Sequence, residues 1–317
     1  MPHILVPNPS KTIISSLKPG DFSSLFEGAL SPALQERIKA SDFRYVPLSS
    51  EERDRCILFI LQLLRDPAVG KSGEHRQSEW ERGWLENLEL VRKGDPKGLI
   101  PRYFDKYDIV RLRGEFVKVL APGFEYNMLV VIEQWLFEKY LSDVESIYEF
   151  GCGTGHNLLR AREANPHAKL FGLDWTEASQ NIITESVQTG VLKNAVGRRF
   201  DFFHPDETFL IEPDSGVYTV AALEQMGKDF VPFVEYLMGQ KPRIVVHIEP
   251  MYEFFDAKNL IDYLAIAYYQ KRNYLWGLSE YLHRLAGEKK ITIHEAKRTN
   301  IGHFLTDGYS VIAWSPV

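Results

Sequence analysis

The sequence predicts an α/β protein with a mostly parallel, doubly wound sheet, preceded by a helical region. Three observations predict it. From about residue 142 onward, short β-rich runs alternate with helical ones, as in β-α units that cover both faces of a parallel sheet. One run, Ser146–Phe150, leads into a glycine-rich turn that opens a helix. The chain closes on two strand-like runs, 291–298 and 309–314, with no helical stretch between them, so the last strand is expected to run antiparallel.

Before residue 142 the patterns are helical. Residues 1–48 hold many Pro, Ser and Gly residues and read as an irregular arm with one or two short helices. Ser49-Ser-Glu-Glu52 has the spacing of a capping box, and Cys56–Leu64 reads as a buried helix. Ser78 and Glu81 repeat that spacing. Trp80, Trp84, Leu88 and Val91 then share one helical face, with Gly94 as the stop. Residues 128–140 form a third helix with Leu129, Ile132, Trp135 and Leu136 inward.

After residue 142 the predicted strands are 146–150, 169–174, 198–203, 216–221 and 243–249. Helices over 157–164, 176–188 and 230–239 separate them, with Thr176 as a cap. The stretch 256–287 exceeds one crossover helix and is expected to be two, broken near 271–273. The predicted division is a helical region, 1–125, that caps the site or mediates oligomerisation, and a ligand-binding domain, 126–317, with a helical insertion at 256–287.

The bulk numbers exclude several classes. A net charge of −6 speaks against a phosphate-gripping surface. Two cysteines, Cys56 and Cys152, build neither a disulfide framework nor a multi-cysteine zinc site, and they suit a reducing compartment. The first residues show no leader pattern, and the apolar run at 56–64 is far short of the roughly 20 residues of a membrane span. The expectation is a cytoplasmic protein without nucleic-acid or membrane partners, acting on a small molecule, with a homodimer possible.

The chemistry concentrates in Tyr148-Glu-Phe-Gly-Cys-Gly-Thr-Gly-His-Asn157. Glycines permit a sharp turn and close approach to a ligand, and the helix start offers unpaired amides. Asp174 ends the second strand about twenty residues later, where a carboxylate takes ribose hydroxyls in dinucleotide folds. A nicotinamide site would need a further glycine where His156 stands.

Together these elements resemble the class I S-adenosylmethionine-dependent methyltransferases, over roughly residues 125–317. The resemblance implies a Rossmann-like, seven-stranded sheet with an antiparallel last strand, S-adenosylmethionine as cofactor, and an enzyme. It implies cofactor contacts from the turn (Glu149, Gly151, Cys152, Gly153, Gly155), from Asp174 to the ribose and from Trp175 against the adenine. Asp201 is implied at the adenine amino group, Phe202 as an apolar wall, and Ala222 after the fourth strand.

Methyl transfer needs an aligned nucleophile and often a base, and ligands sit outside the carboxyl ends of parallel strands. Glu224 stands at the end of the fourth strand, and His247 and Glu249 in the fifth, as candidate catalytic groups. His247 and Glu249 share one strand face, which points either to a pocket or to a helix layer. No metal site is assigned, since His247, Glu249 and Glu253 have no completing partner at recognisable spacing. His156 reads as packing near the cofactor and Cys152 as a small packing residue. Tyr263, Tyr268, Tyr269, Tyr274, Trp276 and Tyr281, with Arg102, Tyr103, Arg111, Arg113 and Tyr126 upstream, read either as core and surface or as cover for the substrate.

The DNA adenine signature, Asn/Asp-Pro-Pro-aromatic, is absent at the fourth strand, where Ala222-Leu-Glu-Gln225 stands. The expected acceptor is small or medium-sized, such as a sugar, nucleotide-sugar or secondary metabolite. Oxygen is expected first as the acceptor atom, nitrogen second and carbon third. The alternatives are a non-catalytic protein that binds S-adenosylmethionine or a nucleotide on the same fold, and a protein methyltransferase.

Overall fold

The computed structural model describes residues 13–317. The leader expectation rests on residues outside that range. In chain order the elements begin with β1 (Ser15–Ser16), α1 (Pro19–Phe26), α2 (Pro32–Ala40), β2 (Arg44–Pro47), α3 (Ser50–Arg65) and α4 (Gln77–Arg92). Next come β3 (Ile109–Leu112), β4 (Glu115–Val119), α5 (Phe124–Tyr140), β5 (Ser146–Phe150), α6 (His156–Ala164) and β6 (Lys169–Asp174). Then follow α7 (Glu177–Gln188), β7 (Ala195–Arg199), β8 (Ser215–Val220), α8 (Val231–Gln240) and β9 (Ile244–Glu249). The chain ends with α9 (Leu260–Arg272), α10 (Leu278–Gly287), β10 (Ile291–Lys297), β11 (Ile301–His303) and β12 (Ser310–Pro316). Among the described residues, no helix is long and apolar enough to cross a membrane.

The main sheet has seven strands in the order β10-β12-β9-β8-β5-β6-β7. Strands β5 to β9 pair in parallel, and β12 runs antiparallel to both β9 and β10, the reversed last strand that was expected. The inner strands β5, β8 and β9 are buried along their whole length, as parallel strands covered on both faces must be.

The expected arm and helical region hold a second sheet that sequence reading missed, β1-β2-β4-β3-β11, antiparallel throughout. Its strands are two to five residues long, too short for a periodic signal. One of them, β11, arrives from between the two closing strands. Phe22, Phe26, Phe43 and Val110 share one buried core with Ile147 and Val246, so this region is packed onto the main sheet.

Several local readings hold. Ser49 caps α3, accepting from Glu52 N at 3.2 Å, while Glu52 accepts from Ser49 N at 2.8 Å. Asn273, with φ +52°, ends α9 at the expected break. Others are corrected. Helix α3 is amphipathic: Cys56 and Ile60 are buried, but Leu58 is 57% exposed. Ser78 does not cap α4, whose first residue is Gln77. Glu81 instead accepts from the backbone N–H groups of Glu177 (2.8 Å) and Ala178 (3.1 Å), capping α7 across the chain. Thr176 precedes α7 but its side chain caps nothing, because its hydroxyl is taken by Asp174. The third strand ends at Arg199, four residues before the expected end.

Candidate active site

The site forms at the carboxyl edge of the parallel strands, where the backbone leaves the sheet. After β5 the chain folds back, and the N–H groups of Gly151 and Cys152 both donate to the Leu173 carbonyl, at 2.7 and 2.9 Å. Gly151 (φ +75°) and Gly153 (φ +51°) lie in the left-handed region. A Cβ at Gly151 would sit 2.3 Å from Ala222 Cβ, and one at Gly153 would sit 2.9 Å from the Trp84 ring. The turn is therefore pressed between the loop after β8 and helix α4. Gly155 starts α6 and does not line the cavity.

Asp174 ends β6 directly beside this turn. Its Oδ2 accepts from Gly153 N at 3.0 Å, and its Oδ1 from Thr176 N and Oγ1 at 2.9 and 2.7 Å. Burial raises its pKa, and the Thr176 and Gly153 hydrogen bonds pull the other way. Oδ2, with a single partner, keeps a lone pair for a ligand hydroxyl. The Trp175 ring stacks on Phe203 at 5.8 Å, and Phe202 stands alongside on the cavity wall.

These groups open on one cavity of about 570 Å³. Gly151, Cys152, Gly153, Asp174, Trp175, Phe202 and Ala222, all candidate cofactor contacts, line it. Glu224 lines the same cavity from the short helical turn after β8. Burial raises the Glu224 pKa to about 7, while Gln225, Arg272 and Arg76 hold it down. The Gln225 amide donates to Glu224 Oε1 at 2.8 Å. A carboxyl poised near neutral pH inside a cavity is what general-base work requires.

Besides Gly155, four expected site residues lie elsewhere. Glu149 is buried beneath the turn, accepting from Asn157 Nδ2 at 2.7 Å and Tyr218 OH at 2.9 Å. Burial raises its pKa to about 8, so it serves the fold as a protonated strut. Asp201 accepts from Phe203 N at 2.9 Å and shapes the turn that presents Phe202, because β7 ends before it reaches the cavity. His247 is fully buried mid-sheet, its Nδ1 2.9 Å from Thr219 Oγ1, and burial lowers its pKa to about 3. Glu249 accepts from Ala222 N (3.1 Å) and Leu223 N (3.2 Å), and burial raises its pKa to about 8. It fixes the backbone that carries Glu224. The shared strand face of His247 and Glu249 thus points into the protein. Glu253 accepts from Gly277 N at 2.6 Å. Among the described residues, the one trio with metal-ligand spacing is Glu74, Asp201 and His204, and it includes none of His247, Glu249 or Glu253.

The cavity is completed by residues that sequence reading left unassigned or split between core and cover. Trp80 and Trp84 line it from α4, beyond the packing role read from their helical face. Gln77 on the same helix donates to the Trp175 carbonyl at 3.1 Å. His156 lines the cavity next to Thr154, with its pKa lowered by burial to about 3. Tyr103, Tyr268 and Tyr274 line it, whereas Tyr263 and Trp276 are exposed. Arg113 pairs with Asp21 and Arg102 with Glu86 on the surface, while buried Arg111 donates to the Phe304 carbonyl. Tyr126 rests its ring near His156. Glu125, Tyr309 and His303 also face the cavity, with no sequence signal beyond their residue types, since they come from distant elements.

The sheet order, the single reversed strand and a glycine turn braced by a carboxylate define the class: this is the Rossmann-like fold of class I methyltransferases. No family model matches the chain. Over 158 residues it is 23% identical to the ribosomal protein L11 methyltransferase of Klebsiella pneumoniae strain 342. The aligned part is 47% of this chain and 50% of that protein, and the same figures hold for a second strain of the species. The chain thus spans about half the length of the curated relatives it matches. Human N-acetylserotonin methyltransferase, solved with S-adenosylmethionine, superposes at a TM-score of 0.47 and 13% identity, over 93% of this chain and 74% of that one. Magnesium protoporphyrin IX methyltransferase from Synechocystis, also solved with S-adenosylmethionine, gives 0.43 and 11%, over 61% and 82%. Likenesses at this level carry no argument about activity or acceptor.

Proposed function

We propose that the protein is an enzyme that transfers a methyl group from S-adenosylmethionine to a small acceptor, with Glu224 as the base. One observation carries the proposal: a single cavity joins the glycine turn and Asp174 to a carboxyl poised near pH 7. Its volume of about 570 Å³ falls in the range of roughly 300–1,000 Å³ typical of ligand sites.

The residues fit the cofactor. The backbone at Gly151–Gly153 receives the methionine part, Asp174 the ribose hydroxyls, and Trp175 with Phe202 and Phe203 the adenine. When bound, the cofactor supplies an electrophilic methyl group on a sulfonium. The chain's own residues align the acceptor and take its proton. As the acceptor oxygen forms its bond to the methyl carbon and the carbon–sulfur bond breaks, the hydroxyl proton passes to Glu224. The products are a methyl ether and S-adenosylhomocysteine. An amine acceptor loses its proton to the same carboxylate.

A small acceptor is supported by the cover over the site. Helix α4, the end of α9 and the segment from His303 to Tyr309 all line the cavity, so a long chain would have to displace them. The deciding experiment is calorimetric titration with S-adenosylmethionine, S-adenosylhomocysteine and NAD in parallel. Micromolar binding of the first two, weakened in Asp174→Ala, is expected. NAD binding alone overturns the proposal. Binding of the first two with no methyl transfer to any acceptor leaves the non-catalytic reading. Transfer to a protein but to no small molecule moves the acceptor to the protein class named by the L11 relative.

A further inference from the structure

Arg272 lines the cavity and has no part in the methyl-transfer reading above. It ends α9 one helical turn after Tyr268, so both side chains leave the same face, and both line the cavity. Its guanidinium lies 5.1 Å from the centre of the Tyr274 ring, and Tyr274 meets Tyr268 edge to face at 5.9 Å. Its Nε is buried without a partner, and among the described residues the side chain makes no ion pair. The other arginine in the cavity, Arg76, is already committed: it pairs with Glu79 at 2.7 Å and reaches Gln225 at 3.4 Å. A guanidinium stays charged at all working pH, and this half-buried one, with its Nε unpartnered and Glu224 near enough to feel its charge but not paired with it, has room for a ligand anion.

Glu224 stands on the same wall. The Leu275 N–H, just beyond α9, donates to the Glu224 carbonyl at 3.1 Å, and the Trp276 N–H to the Gly227 carbonyl at 3.1 Å. These bonds strap the turn carrying the base to the segment after Arg272. Tyr268 and Tyr274 line the same cavity beside Arg272, and their rings suit a flat apolar body.

We propose that the acceptor is a small aromatic acid whose carboxylate is received by Arg272, while its hydroxyl or amine faces Glu224 and its ring packs against Tyr268 and Tyr274. This rests on the methyl-transfer reading above. The carboxylate of the acceptor supplies the missing partner of Arg272, and the distance between acid and nucleophile on the ring becomes the specificity gauge. The cofactor's own carboxylate is the rival anion for Arg272, and the test separates the two.

The protein is loaded with S-adenosylhomocysteine and titrated with 4-hydroxybenzoate, salicylate and 4-hydroxyphenylacetate, each beside its methyl ester. At least one acid is expected to bind the wild type, with its ester at least tenfold weaker. Arg272→Gln is expected to lose the same factor for the acid while holding S-adenosylhomocysteine within twofold. Esters that bind as well as acids overturn the proposal, as does the failure of all three acids. Loss of S-adenosylhomocysteine binding in Arg272→Gln, with the melting temperature kept, assigns Arg272 to the cofactor and also overturns it. The acid–ester comparison needs no variant, so a misfolded Arg272→Gln leaves the test intact. Wild type that does not bind S-adenosylhomocysteine at all breaks the methyl-transfer reading itself, a different result from any of these.

Discussion

The two ends of the cavity are built differently. The end beneath Trp84 is made of backbone: a turn with three glycines at positive φ, hydrogen-bonded to Leu173 and clamped by Asp174, all within one β-α-β unit. The end around Glu224 is made of side chains from separate elements: Glu224 after β8, Arg272 and Tyr268 on α9, Tyr103 before β3 and Tyr309 before β12. A ligand common to many proteins can be held by a local, backbone-shaped device. A particular ligand needs charges and rings placed by long-range packing. That difference is the reason the first end is readable from residue spacing and the second is not.

The comparison is sharpest where each end is disturbed separately. The largest effect is expected at the base. Glu224→Gln should lower kcat by about 10²–10⁴-fold, the usual weight of a general base, with S-adenosylmethionine affinity unchanged. The wild-type rate should rise with pH through about 7 as Glu224 deprotonates, and that limb should vanish in the variant. A variant that turns over normally would remove Glu224 from the mechanism.

At the other end, Asp174→Ala should weaken S-adenosylmethionine by roughly ten- to a hundredfold, the loss of ~1.5–3 kcal/mol from charged hydrogen bonds. Unchanged affinity in a titration would mean the ribose sits elsewhere. The junction between the ends is tested by Gly151→Ala, whose new Cβ would meet Ala222 Cβ at 2.3 Å. Part of its loss in cofactor affinity should return in the double variant with Ala222→Gly. The remainder is the cost of positive φ in an alanine, about 1–2 kcal/mol. No recovery in the double variant would show that the two loops do not press on each other.

A smaller effect is expected at His247. Its full burial and low pKa predict that His247→Gln costs about 1–3 kcal/mol of stability, read by denaturant unfolding, while kcat stays put. A kcat loss with normal stability would return it to the catalytic set.

The mildest prediction concerns pH and the fold of the free protein. Glu125, Glu149 and Glu249 are each raised by burial to about 8. Such groups contribute stability in full below the unfolded value near 4.5 and lose it as pH climbs through 8. His156 and His247, lowered by burial to about 3, contribute in full above 6.5 and lose it as pH falls. The melting temperature should therefore be highest between about 4.5 and 6.5, where the two slopes oppose each other, and fall from 6.5 to 8. Glu149→Gln should flatten that upper limb, and a melting temperature that climbs from pH 6.5 to 8 would contradict it.

Sequence by itself determined the order of β-α units, the reversed last strand, the glycine turn, Asp174 at the end of β6 and Glu224 after β8. It also determined the break at Asn273 and the capping of α3 by Ser49. Each depends on neighbours within a few residues, or on a period of 2 or 3.6 that the chain displays openly. Only the tertiary structure decided which way β9 faces, and so that His247 and Glu249 serve the fold. It decided that β7 stops before Asp201, that Glu81 caps a helix from across the chain, and that β11 joins a second sheet with β3. It also brought Arg272, Tyr103 and Tyr309 to one cavity. The physical reason is that burial, desolvation and strand pairing depend on neighbours distant in the chain, and spacing along a sequence carries no record of them.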